Sequence, residues 1–265
     1  MSGRFAFLVE PVHQGIEAGD RKPEVFLHGP RPGEVGIPEK LDQVGPVAAA
    51  VERHEEVDDG ARAANHLQAT SRFLVNGEPT ESKLASGAKG SLRVVVRTRG
   101  RAAHSAYAHL GVSAIEPMLA LLPTISALPL PTDPVLGETT VNIGTIRGGT
   151  EANIVPDLCE AELMFRLVGD VAPLRAALTK WAGDRAELEW GSYIPAQHFH
   201  TIEGFEVSPV AYTSDIPLLS RWGTPLLFGP GSIHVAHTSE EFIDVKELRQ
   251  AVDSYERIVR TLLAS

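Results

Sequence analysis

Several groups of side chains in this sequence have the types and spacing for chemistry. Glu55 and Glu56 are adjacent carboxylates just before Asp58-Asp59-Gly60. Like charges repel, so holding both in one site requires a cation between them or a raised pKa on one; otherwise the run is a solvated acidic turn. Glu78, in Gly77-Glu78-Pro79-Thr80, follows a strand pattern at the end where α/β proteins place ligands, although alone it is a turn residue. His234 and His237, with Glu240 and Glu241, follow Gly229-Pro230-Gly231 and are the raw material of a metal site or of an ordinary surface loop. His104, in Gly100–Ala106, stands past a strand end as a general acid, an oxyanion donor or an exposed loop residue. In Gly144–Asp157, Gly148-Gly149 permits close backbone approach and Asn153 supplies an amide, a combination suited to a carboxylate or oxyanion and also to a plain hairpin.

The elements around these residues can be read from periodicity. Arg72–Asn76 reads as a strand, and Ala61–Leu67 as a short helix before it. Leu92–Thr98, Thr140–Ile146 and Leu158–Val168 alternate apolar and polar residues as strands do, and Ala186–Trp190 reads as a fourth. Gly111–Leu128 places Ile115, Leu119, Leu122, Ile125 and Leu128 on one helical face, and Ala172–Ala182 is a second helix. The order from 92 to 190 is β-α-β-β-α-β, a split ferredoxin-like sandwich. Pro225–Gly229 reads as a buried strand, and Asp244 can cap a helix over Val245–Leu263 with Leu248, Val252, Tyr255 and Val259 inward. Segments on both sides of the sandwich thus look like one α/β domain interrupted by an insertion.

The first 50 residues differ in character, with seven Gly and six Pro and no period. Only Glu24–His28 suggests a strand and Val47–Arg53 a helix, so this head is expected to be atypical and disordered. Phe5–Val9 is an apolar run too short for a signal peptide. The predicted domains are 51–90 with 205–265 as a partial catalytic domain, and 91–204 as a lid. At 265 residues, 43% hydrophobic and 22% charged, the composition is that of a soluble globular protein. The net charge of −10 argues against nucleic acid and acidic membranes as partners. A single cysteine, Cys159, excludes an intrachain disulfide and suits a reducing cytoplasm.

Taken in order, Glu55-Glu56, Gly77–Thr80, Gly100–Ala106, Gly148–Asp157, Arg166 and Ala236-His237-Thr238 with Glu241 resemble the zinc-dependent amidohydrolases and exopeptidases. That family includes acetylornithine deacetylase, succinyl-diaminopimelate desuccinylase, aminoacylase and glutamate carboxypeptidase, and the resemblance covers roughly residues 55–265. It implies an α/β zinc-peptidase domain with an inserted ferredoxin-like lid that forms a homodimer. It further implies hydrolysis of the amide bond in N-acyl amino acids or small peptides with one or two zinc ions, or cobalt or manganese in their place. By the same resemblance Glu55 is the general base, Glu56, Glu78 and His237 are metal ligands, and His104 is the oxyanion donor. Asn153, Arg166, Gly148 and Gly149 would hold the substrate carboxylate, with Tyr107, Phe199 and Phe205 lining the pocket. The family's His-x-Asp motif and bridging Asp have no counterpart in residues 1–50; His28 is followed by Pro30 where the Asp would stand. The expectation is therefore a truncated or frame-disrupted member, inactive if the metal site cannot form. The alternative is a non-catalytic dimerisation or ligand-binding module.

Overall fold

A computed structural model describes residues 5–9, 59–67, 70–236, 238–239 and 241–264. The chain begins with strand β1 (Phe5–Val9), helix α1 (Asp59–Asn65), and strands β2 (Phe73–Gly77) and β3 (Leu84–Ala88). Next come β4 (Gly90–Arg99), α2 (Ile115–Leu121), β5 (Thr140–Gly148), β6 (Leu158–Leu167), α3 (Val171–Ala182) and β7 (Glu187–Ile194). Strands β8 (Val207–Val210) and β9 (Thr224–Leu227) and helix α4 (Val245–Ala264) complete it. Contacts divide the chain into two units, Met1–Gly87 with His198–Val210 and Ser214–Ser265, and Ala88–Gln197 with Ala211–Thr213.

The first unit holds a parallel sheet in the order β1-β2-β9, with Phe5 and Thr224 both opposite Phe73. Parallel strands are covered on both faces, so they read as apolar runs without alternation. Leu74, Val75, Leu226 and Leu227 are accordingly buried. Phe5-Ala-Phe-Leu-Val9 has the same character, and its place in this sheet corrects the expectation of a disordered head for those five residues. The strand expected at 24–28 and the helix expected at 47–53 lie outside the described residues.

Helix α4 begins at Asp244, whose carboxylate accepts from the Lys246 N–H at 2.6 Å. Ala251, Ile258, Val259 and Leu262 are its buried face, packed with Val75, Leu226 and Phe228. Leu248 and Val252, expected to face inward, are half exposed. Residues 248-252-255-259 and 251-255-258-262 are neighbouring stripes on one helix, and periodicity does not say which of the two is covered.

The second unit is the split βαββαβ sandwich, with every strand pair antiparallel and the sheet order β7-β4-β6-β5. Along β6, Cys159, Ala161, Leu163, Phe165 and Leu167 point into the core, while Glu160, Glu162, Met164 and Arg166 take the opposite face. The core fills with Leu92, Val94, Val96, Met118, Leu121, Leu174 and Leu178. Helix α2 is shorter than periodicity predicts, giving way to a 3-10 turn over Leu122–Ala127 with Pro123 at its start. Met118 and Leu121 take the buried positions and Leu119 is exposed. Strand β7 runs past Trp190 to Ile194 because the register shifts between Trp190 and Tyr193, which interrupts the alternation the sequence shows.

The return to the first unit lies at His198 rather than at 205. Phe199 donates its N–H to the Ser86 carbonyl and His200 to that of Pro225, both at 3.0 Å, so the segment after 198 is tied to first-unit strands. Phe199 is buried, and Phe205 packs edge-on against Phe228 with ring centroids 6.3 Å apart. Both aromatics expected to line a pocket are therefore core residues. Among the described residues no helix is long and apolar enough to cross a membrane.

One core position conflicts with its surroundings. Asn76, on β2, is fully buried, and neither atom of its amide has a hydrogen-bond partner among the described residues. A buried polar group left unpaired costs about 1–3 kcal/mol. Asn76→Leu, close in shape, is expected to raise the unfolding free energy by roughly that amount in urea denaturation; a loss of stability would show that the amide is satisfied in solution.

Candidate functional site

The polar end of the lid is built where β4 stops. Gly100 donates its N–H to the Asp157 carbonyl at 2.8 Å, Ala114 donates to Pro156 at 2.8 Å, and Arg101 and Val112 exchange both backbone bonds. A Cβ on Gly100 would stand 2.0 Å from the Val112 carbonyl oxygen, so this crossing needs glycine. The tied loops form a short antiparallel ladder in which Ala103 pairs with Val155 and His104 with Ile154. The Ser105 N–H donates to the Asn153 carbonyl at 2.8 Å. His104 and Asn153 are thereby brought together on an exposed rim.

The His104 ring is oriented by its own chain. Its Nδ1 accepts from the Ala106 N–H at 3.1 Å. An accepting Nδ1 carries no proton in the neutral ring, so the proton resides on Nε2, which is left to donate outward. The expected glycine cradle is used differently. Gly148 lets β5 lie against Cys159, whose Sγ would be 2.8 Å from an added Cβ, and Gly149, at φ +74°, donates its N–H to the Leu158 carbonyl at 3.3 Å. These two glycines shape the hairpin that carries Asn153, and the Gly149 N–H is already committed to it. Burial raises the Cys159 thiol above its ordinary pKa.

Arg166 lies at the other end of the same sheet. Leu158 pairs with Arg99 at the rim, whereas Arg166 pairs with Ser91 and Thr140. Eight residues of strand at roughly 3.3 Å each separate Leu158 from Arg166 by about 26 Å. One small carboxylate cannot bridge that gap, so Asn153 and Arg166 of one chain do not form the joint grip expected of them. The outer sheet face around Arg166 is a lattice of ion pairs: Arg93 with Glu162 at 2.6 Å, Arg97 with Glu160 and Glu189, and Arg99 with Glu187 at 2.8 Å. The Arg99 guanidinium holds the Glu187 carboxyl below its ordinary pKa. Arg166 takes no part in these pairs and has no ion-pair partner among the described residues.

In the first unit, Glu78 follows β2 and sits in a turn locked to the loop after β9. A Cβ on Gly229 would be 2.3 Å from the Glu78 carbonyl oxygen, so the two backbones touch directly. Thr80 and Ser82 donate their N–H groups to the Gly229 carbonyl at 3.1 and 3.0 Å, and Glu81 donates to Gly231 at 2.9 Å. Glu81 and Ser82 are both left-handed, at φ +56° and +59°, an uncommon conformation for residues with a side chain. Helix α4 reaches this place with two polar groups. Glu247 accepts from the Gly231 N–H at 2.9 Å and from the Ser82 hydroxyl at 3.1 Å. The Tyr255 hydroxyl donates to the Phe228 carbonyl at 2.7 Å, and burial, then the negative charge of Glu78, push its pKa well above the ordinary tyrosine value. Sequence reading missed Glu247 and placed Tyr255 only as core; on a helix with as many charged residues as this one, no local signal singles Glu247 out.

Glu55, Glu56 and His237 lie outside the described residues. Among the described residues no three His, Cys, Asp or Glu side chains converge as a metal-binding group. Glu78 is thus the one expected ligand whose setting can be stated.

Comparison with known proteins places these features. Residues 86–187 match the family model of the M20 peptidase dimerisation domain. A peptidase M20 domain-containing protein of Schizosaccharomyces pombe is 38% identical over 210 residues, which cover 77% of this chain and 52% of that protein. A protein named "Probable carboxypeptidase" from Paracoccidioides lutzii is 37% identical over 70% of this chain and 48% of its own. A solved tripeptidase from Staphylococcus aureus shares the fold with a TM-score of 0.61 at 20% identity, over 77% of this chain and 60% of that one. An α/β unit interrupted by a dimerisation domain is the class these likenesses define. Residues 86–187 are the dimerisation domain of the M20 peptidase family, whose members are generally metal-dependent, and the chain is similar to M20 proteins over about three quarters of its length. It spans about half the length of the curated relatives it matches.

The His104 tautomer is open to direct measurement. Nitrogen-15 NMR of the imidazole above its titration range is expected to show protonated Nε2 and bare Nδ1. Ala106→Pro, which removes the N–H, is expected to yield the tautomer mixture of a free histidine; an unchanged spectrum would separate the preference from this hydrogen bond.

Proposed function

We propose that the chain derives from a metal-dependent hydrolase of the amide bond in N-acyl amino acids or small peptides, acting as a homodimer whose sites draw on two copies of the lid. The observation that carries this is the separation of His104 and Asn153 from Arg166 along one sheet. If all three serve one substrate, the first two come from one copy and Arg166 from the other. The outer side of edge strand β5, unpaired among the described residues and with Ile143 and Ile146 exposed, supports pairing between lids.

Glu56, Glu78 and His237 would hold one or two zinc ions, with cobalt or manganese as substitutes. When bound, zinc acidifies a water and polarises the scissile carbonyl. Glu55 would take the proton of that water. His104 would donate from Nε2 to the oxygen that becomes negative as the carbonyl turns tetrahedral, where a preplaced donor contributes most. Arg166, uncommitted to a glutamate, would present a planar fork to the substrate carboxylate, with the Asn153 amide of the other copy beside it. Tyr107, exposed on the same rim as His104, would contact the acyl group. A reducing cytoplasm suits the lone cysteine.

The test combines zinc content by elemental analysis with hydrolysis of acetyl- and succinyl-amino acids. His104→Ala and Arg166→Ala are each expected to abolish activity. Mixed in equal amounts and allowed to exchange subunits, the two are expected to recover about one quarter of the wild-type rate, because half of the dimers are mixed and each carries one intact site. Failure of the mixture to recover any activity would rule out the shared site. A wild-type chain that binds no zinc and hydrolyses neither substrate class would instead point to a non-catalytic dimerisation or binding module.

A further inference from the structure

Glu247 occupies the third position of α4, three residues after the capping Asp244. A carboxylate there ordinarily turns back to satisfy the N–H of its own cap residue. Glu247 instead directs one oxygen, Oε1, away from its helix. That oxygen accepts from the Gly231 N–H at 2.9 Å and from the Ser82 hydroxyl at 3.1 Å. Gly231 belongs to the loop after β9, and Ser82 to the turn that carries Glu78. A single atom therefore joins two loops from distant parts of the sequence.

The joint falls where the backbone most needs holding. Glu81 and Ser82 are consecutive left-handed residues without being glycine, and such conformations persist only where the surroundings over-determine them. Their own N–H groups are spent on the Gly231 and Gly229 carbonyls. Thr80 accepts from the Gly229 N–H at 3.0 Å and donates to the Lys83 carbonyl at 2.6 Å. Except for the local Thr80–Lys83 bond, each of these bonds depends on the 229–231 loop staying in register with the turn. Glu247 lies outside both segments and bonds to each of them.

We propose that Glu247 is a positioning residue for Glu78: it clamps the 78–82 turn to the 229–231 loop and so sets where the Glu78 carboxylate is presented. This rests on the ligand role proposed for Glu78. The clamp itself is a property of the described structure and can be judged separately.

The test uses the full chain, with Glu247→Ala and Glu247→Gln. A glutamine oxygen can still accept from both donors, so it serves as the conservative control. In hydrogen exchange, Glu247→Ala is expected to speed exchange of the Glu81, Ser82 and Gly231 amides tenfold or more, with the Val75 and Leu226 amides unchanged. Glu247→Gln is expected to restore most of the protection. Uniform acceleration through the strands, or no acceleration at the loops, would overturn the clamp. In parallel, cobalt(II) titration followed by its visible bands is expected to show binding weakened at least tenfold in Glu247→Ala and recovered in Glu247→Gln. Loosened loops with unaltered cobalt binding would overturn the positioning role. A wild-type chain that binds no cobalt would remove the ligand role of Glu78 and the positioning role with it, while exchange still decides the clamp.

Discussion

Antiparallel pairing of Gly90–Arg99 with Leu158–Leu167 runs ten residues without a slip, from Leu158 opposite Arg99 to Leu167 opposite Gly90. With a side-chain period of two, that register commits Cys159, Ala161, Leu163, Phe165 and Leu167 to the core and leaves the arginines and glutamates to form the outer lattice. A slip by one residue would exchange the two sets. The same ladder fixes distance. It carries the His104 and Asn153 rim on one end and Arg166 near the other, so the register of this pair sets how far apart these side chains stand within one chain.

The first unit works by a different constraint. Its parallel strands leave their ends to loops that have no ladder of their own. There, backbone contact between Glu78 and Gly229, the left-handed pair Glu81-Ser82 and the two polar groups of α4 replace regular pairing. Polar networks of this sort, here partly buried, hold one arrangement firmly when every member is bonded. Asn76 shows the converse one strand position from Gly77, with a buried amide that has no partner among the described residues.

Much of the lid was legible because it depends on local pattern. Alternation marked β4, β5 and β6. The misreadings have specific physical sources. Phe5–Val9 is an apolar run without alternation, a pattern that does not by itself mark a strand. Leu119, Leu248 and Val252 were assigned to buried faces because helical periodicity defines a stripe and leaves its edge open. Strand β7 was cut short because a register shift hides the second half of the strand from a period-two reading. The crossing at Gly100, the hydrogen bonds of Glu247 and that of the Tyr255 hydroxyl to Phe228 join residues far apart in the chain, where no local pattern could reveal them.

The sequence by itself determined the βαββαβ order of the lid, the capped final helix and the set of residues able to do chemistry, since each follows from side-chain type and short-range spacing. Only the tertiary structure decided which of those residues meet. Asn153 and Arg166 are thirteen positions apart, and extended backbone carries them to opposite ends of a sheet. Asn153 and His104, nearly fifty positions apart, are neighbours because two loops cross through a glycine with no room for a Cβ. Separation along the chain and separation in space are linked only through strand direction and register, and those are settled when the sheet closes.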